Sequence, residues 1–449
     1  MKKTTYLILG VLALATASCK KFLDVNPVDQ VSDSQTIFDG NSAQTAVRGI
    51  YNSLESNNYY GYTFQTLGFF SGDNIKYVGS QTVNQQLTNH DVSSDLAAIN
   101  TSWAAIYTVI NQANNVLAKV PPLATTATFT PALKNQLIGE AYFLRALSYF
   151  DLARTWGGVQ LVLTPTTAAS SLPNVKRSSL AATYAQVLSD LTQAEALLPN
   201  TTNRIRATLK TAYALHARYA LYQQDWPTAI SYATKLINDN NYKLVTPYSG
   251  FFANNAANTS ESVFELYYNT TVTNEEASQW QPSGNGGVGW VVPTSSIVSL
   301  LLDPTVGGNR SALIETVVSQ GVTSYFGNLY YRTAGTDPAY LIRISELYLI
   351  RAEAEAETGD LTDATTDLNA IRTRAGIAPT TATTQSDLLL AIENENRVEF
   401  AFEDHRWYDL VRTGRAQAVL GLTSTDQLLL PVPYSQLQVD PNLTQNPGY

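Results

Sequence analysis

Apolar residues recur three or four positions apart, or at multiples of that spacing, through long stretches of the chain. In residues 131–156 the apolar positions that share this spacing are Leu133, Leu137, Ala141, Leu144 and Leu152. Residues spaced in this way lie on one face of a helix. A second such run begins at Trp103 and ends at Leu117, before the helix-breaking pair Pro121-Pro122. The pattern predicts a mostly α-helical chain.

Two segments share an alanine-rich helix–turn–helix plan. The first has predicted helices over residues 207–221 and 229–237, and Asp225 lies in its turn. The second has predicted helices over 345–358 and 364–375, with Asp360 in its turn. The matching plan indicates tetratricopeptide-type repeats, and residues 178–198 are a candidate for part of another pair. Alanine-rich helical hairpins also arise without repeat ancestry, and the sequence leaves that alternative open.

Two regions lack a helical pattern. Residues 239–340 are dense in Asn, Thr, Ser, Gly and aromatic residues, with one strand-like run at 263–268. About a hundred such residues are too many for a simple connection, which favours a functional or subdomain insertion. Residues 57–79 have the same character and carry seven aromatic residues. We expect these rings to lie on loops, where flat apolar faces are available to a ligand.

The N-terminus carries the features of an export signal. Lys2 and Lys3 precede an apolar stretch at residues 6–15, and small residues at 16–18 precede Cys19, the only cysteine of the chain. This arrangement predicts a lipoprotein signal peptide over residues 1–18 and lipidation of Cys19, so that acyl chains anchor the mature protein. The alternative is a signal peptide or N-terminal anchor with an incidental cysteine.

Composition narrows the classes of function. A lipidated Cys19 leaves no thiol for a disulfide, a zinc site or a nucleophile. Loss of residues 1–18 removes two lysines and no acid, which moves the net charge from −9 to −11. This acidity argues against nucleic acid as a partner. Only 14% of residues are charged and 26 are tyrosine, a surface chemistry that suits uncharged, hydroxyl-rich partners.

Several motifs, in order along the chain, resemble those of the SusD/RagB-type outer-membrane lipoproteins. They include residues 19–24 (CKKFLD), 140–146 (EAYFLRA), 399–403 (EFAFE) with 406–412 (RWYDLVR), 430–433 (LPVP) and 442–449 (NLTQNPGY). One departure follows the long predicted helix, where the family usually has a Gly-Asp-hydrophobic-Pro turn. Residues 157–160 (GGVQ) lack both the acid and the proline, which puts the local loop shape in doubt but not the fold.

The resemblance implies a fold and a function. The fold is mostly α, with tetratricopeptide-like helical pairs supporting a loop-rich, ligand-binding half that has a few short strands. Residues 19–449 would form one domain, with the irregular insertion at about 239–340. Members of the family lie on a SusC-like TonB-dependent outer-membrane transporter, bind oligosaccharides at the cell surface without catalysis, and in a RagB-like minority bind peptides. No cofactor is implied.

An acidic row and three histidines require a separate interpretation. Glu395, Glu399 and Glu403 recur every four residues, and glycosidases use two carboxyl groups at a defined separation. With arginines nearby in sequence, at positions 397, 406 and 412, we interpret the row as a salt-bridged face. Trp407 and Tyr408 are interpreted as packing residues. His90, His216 and His405 lack the spacing of metal ligands, so we expect no metal site.

The candidate ligand-binding residues lie in the irregular regions. Sugar rings pack C–H groups on Trp and Tyr faces, while Asn, Asp, Gln and Arg bind their hydroxyl groups. The first cluster is Trp280, Gln281, Asn285 and Trp290, the second is Tyr325, Phe326, Asn328, Tyr330, Tyr331 and Arg332, and the third is Tyr59, Tyr60, Tyr62, Asp73 and Asn74. The family's binding loops share no motif, so none of these residues is assigned by resemblance. The alternative for each ring is that it packs a loop onto the helices.

Overall fold

The computed structural model of the protein describes residues 36–166 and 175–449. The predicted signal peptide and Cys19 lie outside the described residues. Helices in the described part are α1 (Gly40–Leu54), α2 (Thr63–Ser71), α3 (Gln85–Thr88), α4 (Ala97–Lys119), α5 (Pro131–Trp156), α6 (Leu180–Leu197), α7 (Leu209–Tyr222), α8 (Trp226–Ile237), α9 (Glu276–Trp280), α10 (Ser295–Leu302), α11 (Ile344–Thr358), α12 (Leu361–Arg374), α13 (Gln385–Glu399), α14 (Arg406–Arg412), α15 (Ala416–Leu420) and α16 (Tyr434–Val439). Strands in this part are β1 (Ile75–Tyr77), β2 (Ser262–Leu266), β3 (Val291–Pro293), β4 (Ile314–Ser319), β5 (Val322–Gly327) and β6 (Ala339–Arg343).

The long helices form a sequential stack. Each of α4 to α7 packs on the next, α8 packs directly on α11, and α11 packs on α12, which in turn packs on α13. The contact between α8 and α11 forms although residues 238–343 separate these two helices in the chain. The mostly α fold with tetratricopeptide-like pairs is therefore confirmed. Among the described residues, no helix is both long enough and apolar enough to span a bilayer.

Asp225 and Asp360 play the same part in the two repeats. Asp225 has φ −84° and ψ 76° and accepts a hydrogen bond from the backbone N–H of Thr228. Asp360 has φ −83° and ψ 75° and accepts from the N–H of Asp363. Each carboxylate thus caps the second helix of its pair by satisfying a backbone donor that has no partner within the helix. The predicted correspondence of the two turns is confirmed.

The irregular region is looped out of the helical stack and contains short antiparallel pairs. Strand β2 pairs with β6, with Glu265 opposite Tyr340 and Leu266 opposite Ala339. Strands β4 and β5 form a hairpin whose turn residues, Gln320 and Gly321, both have positive φ. Such a turn matches the right-handed twist of the strands. The strand-like run predicted at 263–268 largely coincides with β2.

The prediction of aromatic loops at residues 57–79 is wrong. This segment contains helix α2, whose residues from Phe64 to Ser71 are all buried. Tyr59, Tyr60 and Tyr77 are buried as well. A helix that is buried on every side has no amphipathic stripe, so periodicity gave no signal for it. Its rings fill the core between the helical stack and the looped-out region.

The turn that departs from the family pattern is closed by long-range contacts. Gly157 ends α5 with φ +81°, a conformation that favours glycine. The Gln160 side chain donates to the backbone oxygen of Val175 at 2.5 Å and to Asp440 Oδ2 at 2.6 Å. Arg177 Nε donates to the Gly158 carbonyl at 2.6 Å. Side-chain hydrogen bonds to distant segments therefore hold this loop, without the acid and the proline.

Candidate functional site

Strands β1 and β3 bring two of the predicted clusters together. In this pair Ile75 lies opposite Pro293 and Tyr77 opposite Val291. The pairing continues beyond the strands, where the Val78 N–H donates to the Trp290 carbonyl at 2.8 Å. As a result, the segment that follows α2 runs beside Trp290, and residues of the first and third clusters come close together.

Trp290 is half-buried and held by neighbouring rings. Its ring lies 6.1 Å from that of Tyr77 at 73°, and the Tyr77 ring lies 5.7 Å from that of Phe70 at 67°. Edge-to-face contacts of this kind stabilise aromatic pairs. A Cβ at Gly79 would lie 2.8 Å from Cδ2 of Trp290 and closer still to Tyr77. Only glycine therefore lets the chain pass so close to the two rings.

A pocket of about 220 Å³ adjoins this ring series. Phe70 belongs both to the ring series and to the pocket wall. The other residues of the wall are Tyr62, Thr63, Thr66, Asn84, Ala97, Ala98 and Thr101. The Thr66 and Thr101 hydroxyl groups donate to the backbone carbonyls of Thr63 and Ala97, and a hydroxyl that donates its proton keeps lone pairs with which to accept. We call Trp290, Tyr77, Phe70, Tyr62 and this pocket the Trp290 surface.

Only part of the Trp290 surface could be predicted from the sequence. Trp290 and Tyr62 were predicted, whereas Thr66, Asn84 and Thr101 were missed. The signal that was available is weak, since Thr101 lies in the first turns of an otherwise ordinary amphipathic helix. Asn84 lies in a connection rich in Gln, Asn and Thr. These polar residues converge only because α2 and α4 pack against each other.

Trp280 has a structural role, contrary to the prediction that it contacts ligand. It is fully buried. Its ring lies 5.1 Å from that of Phe402, 5.7 Å from Phe69 and 5.8 Å from Tyr330. A ring packed on all sides offers no face to a ligand, so this expectation is corrected. Trp280 supports the glycine-rich segment from below.

Glu276 holds Trp280 in place. Its carboxyl group accepts from Trp280 Nε1 and from Gln65 Nε2, each at 2.8 Å. Burial raises the pKa of Glu276 well above its usual range, outweighing the hydrogen bond from Trp280, and nearby carboxylates raise it further. Burial therefore favours the neutral form of this acid.

Tyr59, Tyr60 and Asn74 are likewise corrected from ligand contacts to packing residues. Both tyrosine hydroxyl groups donate to Asp151 Oδ2 at 2.6 Å, which fixes their buried rings on α5. Asn74 is buried, and its Oδ1 accepts from Arg397 Nε at 2.8 Å. Asp73 forms ion pairs with Arg397 at 3.0 Å and with Arg406 at 2.8 Å. The third cluster therefore anchors its segment to the helices.

The second cluster also divides into supporting and exposed residues. Tyr330 is buried, and its carbonyl accepts from Gln281 Nε2 at 2.9 Å, which makes the buried Gln281 a structural residue too. Tyr331 donates to the Phe252 carbonyl at 3.1 Å. Arg332 donates to the Thr336 carbonyl at 3.0 Å and lies 3.4 Å from Asp337. These four residues tie loops together.

Asn285 and Tyr325 remain at the surface with Trp290. Asn285 is exposed, and its Nδ2 donates to Glu315 Oε1 at 2.7 Å, so the glycine-rich segment contacts the β4–β5 hairpin. Tyr325 lies on that hairpin and is 37% exposed. These three predicted ligand-binding residues, like Tyr62, have side chains at least partly exposed to solvent.

The acidic row is an ion network, as interpreted from the sequence, but its partners are different arginines. Glu399 lies 2.9 Å from Arg343 Nη1 and 2.9 Å from Arg310 Nε, and it also pairs with Arg374. The other two acids have similar contacts, Glu395 with Arg310 and Arg372, and Glu403 with Arg343. Burial alone would raise the pKa of Glu399, but the three guanidinium groups outweigh it and lower the pKa to about 2. Trp407 and Tyr408 are buried, as interpreted.

Family models and a known relative match this chain along most of its length. A SusD-like family model, described as starch-binding associating with outer membrane, matches residues 21–221, and a SusD family model matches residues 316–427. The SusD-like protein P38 of Formosa agariphila is 26% identical over 99% of this chain and 98% of the relative.

Solved structures show the same fold. A SusD superfamily protein from Bacteroides vulgatus superposes with a TM-score of 0.82 at 22% identity, covering 92% of this chain and 99% of that protein. A laminarin-binding SusD-like protein superposes with a TM-score of 0.80 at 23% identity, covering 92% of this chain and all of that protein. The agreement extends over both the helical stack and the looped-out region.

Proposed function

The chain is a SusD/RagB-type protein, and from this premise we propose that it binds oligosaccharides at the Trp290 surface without hydrolysing them. In this proposal Cys19 carries the lipid anchor, residues 19–449 form one domain, and the protein lies at the outer surface of the outer membrane. Bound glycan passes to a SusC-like TonB-dependent transporter. The ligand class named for the laminarin-binding neighbour supports a glycan as the ligand.

The observation that carries the proposal is the combination of rings and hydroxyl groups at the Trp290 surface. A flat, half-exposed indole matches the C–H face of a sugar ring. The threonine hydroxyls and Asn84 that line the pocket can bond to sugar hydroxyl groups, and a few placed polar groups in an aromatic pocket are typical of ligand sites. The low share of charged residues, 14% of the chain, also suits an uncharged ligand.

Affinity electrophoresis tests the proposed ligand class. The chain from residue 20 onward is run in gels that contain laminarin, starch, xylan, mannan or arabinan. We expect at least one of these polysaccharides to retard the wild-type protein, and Trp290→Ala to remove the retardation. Trp226→Ala is the matched control, because this half-buried tryptophan lies at the start of α8 in the helical stack. Equal retardation of wild type and Trp290→Ala would contradict the proposed surface.

Calorimetry separates a glycan ligand from the RagB-like peptide alternative. Heat on titration with oligosaccharides, and none with a panel of oligopeptides, is the expected result. Heat with oligopeptides and none with oligosaccharides would instead favour a peptide ligand.

Co-purification of the tagged, lipidated chain with a TonB-dependent transporter from outer membranes tests the proposed partner. If no transporter is recovered with the chain after mild detergent extraction, the proposed partner is contradicted, but the proposed ligand is not.

A further inference from the structure

A second cleft lies beside the Trp290 surface, on the other side of the segment around α3. Its volume is about 710 Å³, and it is open to solvent. Two parts of the chain line it, residues 86–94 and the segment beginning at 423. Its lining includes Gln86, His90, Asp91, Ser93, Asp426 and Tyr449. The proposal made above uses none of these residues.

The two walls of this cleft are tied to each other. Gln427 Nε2 donates to the His90 carbonyl at 2.9 Å. Its Oε1 accepts from the backbone N–H groups of Thr423 and Ser424 at 3.0 and 3.1 Å. The Gln427 amide therefore joins the walls through Nε2 and is held within its own wall through Oε1, so the cleft exists before any ligand arrives.

Two carboxylates supply the strongest acceptors in the cleft. The carboxylates of Asp91 and Asp426 accept no hydrogen bond from any residue within 36–166 or 175–449. The His90 ring lies 5.5 Å from that of Trp407 at 29°, and burial lowers its pKa, which favours the uncharged imidazole. Tyr449 is 39% exposed, and its hydroxyl donates to the Leu429 carbonyl at 3.0 Å.

This lining favours one class of ligand. Two free carboxylates bond well to hydroxyl donors but repel anions. No lysine or arginine lines the cleft among the described residues, so nothing there would attract a uronic-acid or sulfated polymer. A neutral sugar chain supplies hydroxyl donors, and the exposed Tyr449 ring gives it an apolar face.

Neighbouring residues of one segment line the cleft and the pocket of the Trp290 surface. Asn84 and Ala97 line the pocket of the Trp290 surface, whereas Gln86 and the residues from His90 to Ser94 line the cleft. Between them lies α3, and a helix with its side chains is about 10–12 Å across. A ligand that reaches both places must therefore contain several sugar units.

We propose that this cleft is a second subsite, which takes further units of an extended, neutral polysaccharide bound at the Trp290 surface. The proposal rests on the proposed function, because it assigns a second contact to the same ligand. It implies that long chains bind more tightly than short ones, and that charged polysaccharides bind weakly.

The test uses the polysaccharide that retards the wild-type protein and short oligosaccharides obtained from it by partial hydrolysis. We expect the double variant Asp91→Ala/Asp426→Ala to weaken polysaccharide binding about tenfold, as the loss of charge-assisted hydrogen bonds implies. Short oligosaccharides should bind the variant as they bind wild type. Asp95→Ala is the matched control, since this exposed aspartate belongs to the same segment but does not line the cleft.

The outcomes are distinct. Equal polysaccharide affinity of the double variant and Asp95→Ala would overturn the second subsite while leaving the Trp290 surface in place. Wild-type affinity that does not rise with chain length would overturn it as well. Retardation by none of the polysaccharides would remove the proposed function and the subsite together. Binding of a lysine-rich peptide that the double variant loses would reassign the cleft to cationic ligands.

Discussion

Arg343 Nη1 lies 2.9 Å from Oε1 of Glu399, and this contact joins the two halves of the molecule. Arg343 is the last residue of β6 in the looped-out region, and Glu399 is the last residue of α13 in the helical stack. Both side chains are fully excluded from solvent. A buried carboxylate with three arginine partners is stable only as a charged group.

Glu399→Gln is therefore expected to destabilise the fold by about 3–5 kcal/mol at neutral pH, because three buried guanidinium groups lose the carboxylate that they share. The pKa of Glu399 is about 2 in the folded state and 4.5 as its usual value. A lowered pKa contributes stability above about pH 4.5 that is lost as the pH falls toward 2. Denaturant unfolding at pH 7 and across pH 5 to 2 measures both effects.

The matched control for that experiment is Asp95→Asn, which changes an exposed carboxylate outside the network. It should keep the wild-type stability at pH 7 and the wild-type loss of stability in acid. A Glu399→Gln protein with unchanged stability at pH 7 would show that the network does not hold the halves together.

Trp280 and Trp290 should respond differently to truncation although they lie ten residues apart. Trp280→Ala removes a fully buried ring between three others, and we expect it to cost about 3–5 kcal/mol. Trp290→Ala removes a half-buried ring and should cost about 1–2 kcal/mol while abolishing glycan binding. Thermal unfolding of both variants, together with the retardation assay, distinguishes a packing role of Trp280 from ligand contact by Trp290. Similar stability losses would contradict this division.

Gly79→Ala tests whether the close approach of the chain positions Trp290. The added methyl group meets the rings of Tyr77 and Trp290, so it must displace them, at a cost of about 1–3 kcal/mol. We expect weaker polysaccharide retardation and an altered near-ultraviolet dichroism of the tryptophans. Gly49→Ala is the control, because a Cβ there has no neighbour within 4 Å. Retained affinity in Gly79→Ala would show that the exact position of Trp290 is unimportant.

The equivalent caps of the two repeats should contribute equally to stability. Asp225→Ala and Asp360→Ala each leave a backbone N–H at the start of a helix without its partner, which costs about 1 kcal/mol. Asparagine at either position keeps an oxygen acceptor and should therefore retain most of the wild-type stability. Denaturant midpoints of the four variants measure this. A large difference between the two alanine variants would argue that the turns are not equivalent in energy.

Helix positions could be predicted from the sequence wherever an apolar stripe faced one neighbour. The predicted helix at 131–156 coincides with α5, and the two repeat pairs were located within a few residues. Helix α2 was missed because burial on every side removes the stripe. The β1–β3 pair joins residues more than two hundred positions apart, and no local pattern indicates such a pairing.

The candidate site was harder to predict, because residues distant in sequence decide whether a side chain is exposed to a ligand. Trp280 is buried by Phe69, Tyr330 and Phe402, which come from three different segments. The same limit applies to the acidic row, whose ion pairing was predicted correctly. Its arginine partners come from positions 310, 343, 372 and 374, which are remote in sequence from the neighbouring arginines first considered.

The direct contact of α8 with α11 makes the looped-out region replaceable in principle. Because α8 and α11 contact each other directly, changes of length or sequence in residues 238–343 leave the helix–helix interfaces of the stack intact. The main requirement is that the region still delivers Arg310 and Arg343 to Glu399. A single scaffold can thus carry different recognition loops, with these buried ion pairs as attachment points that any exchanged region must reproduce.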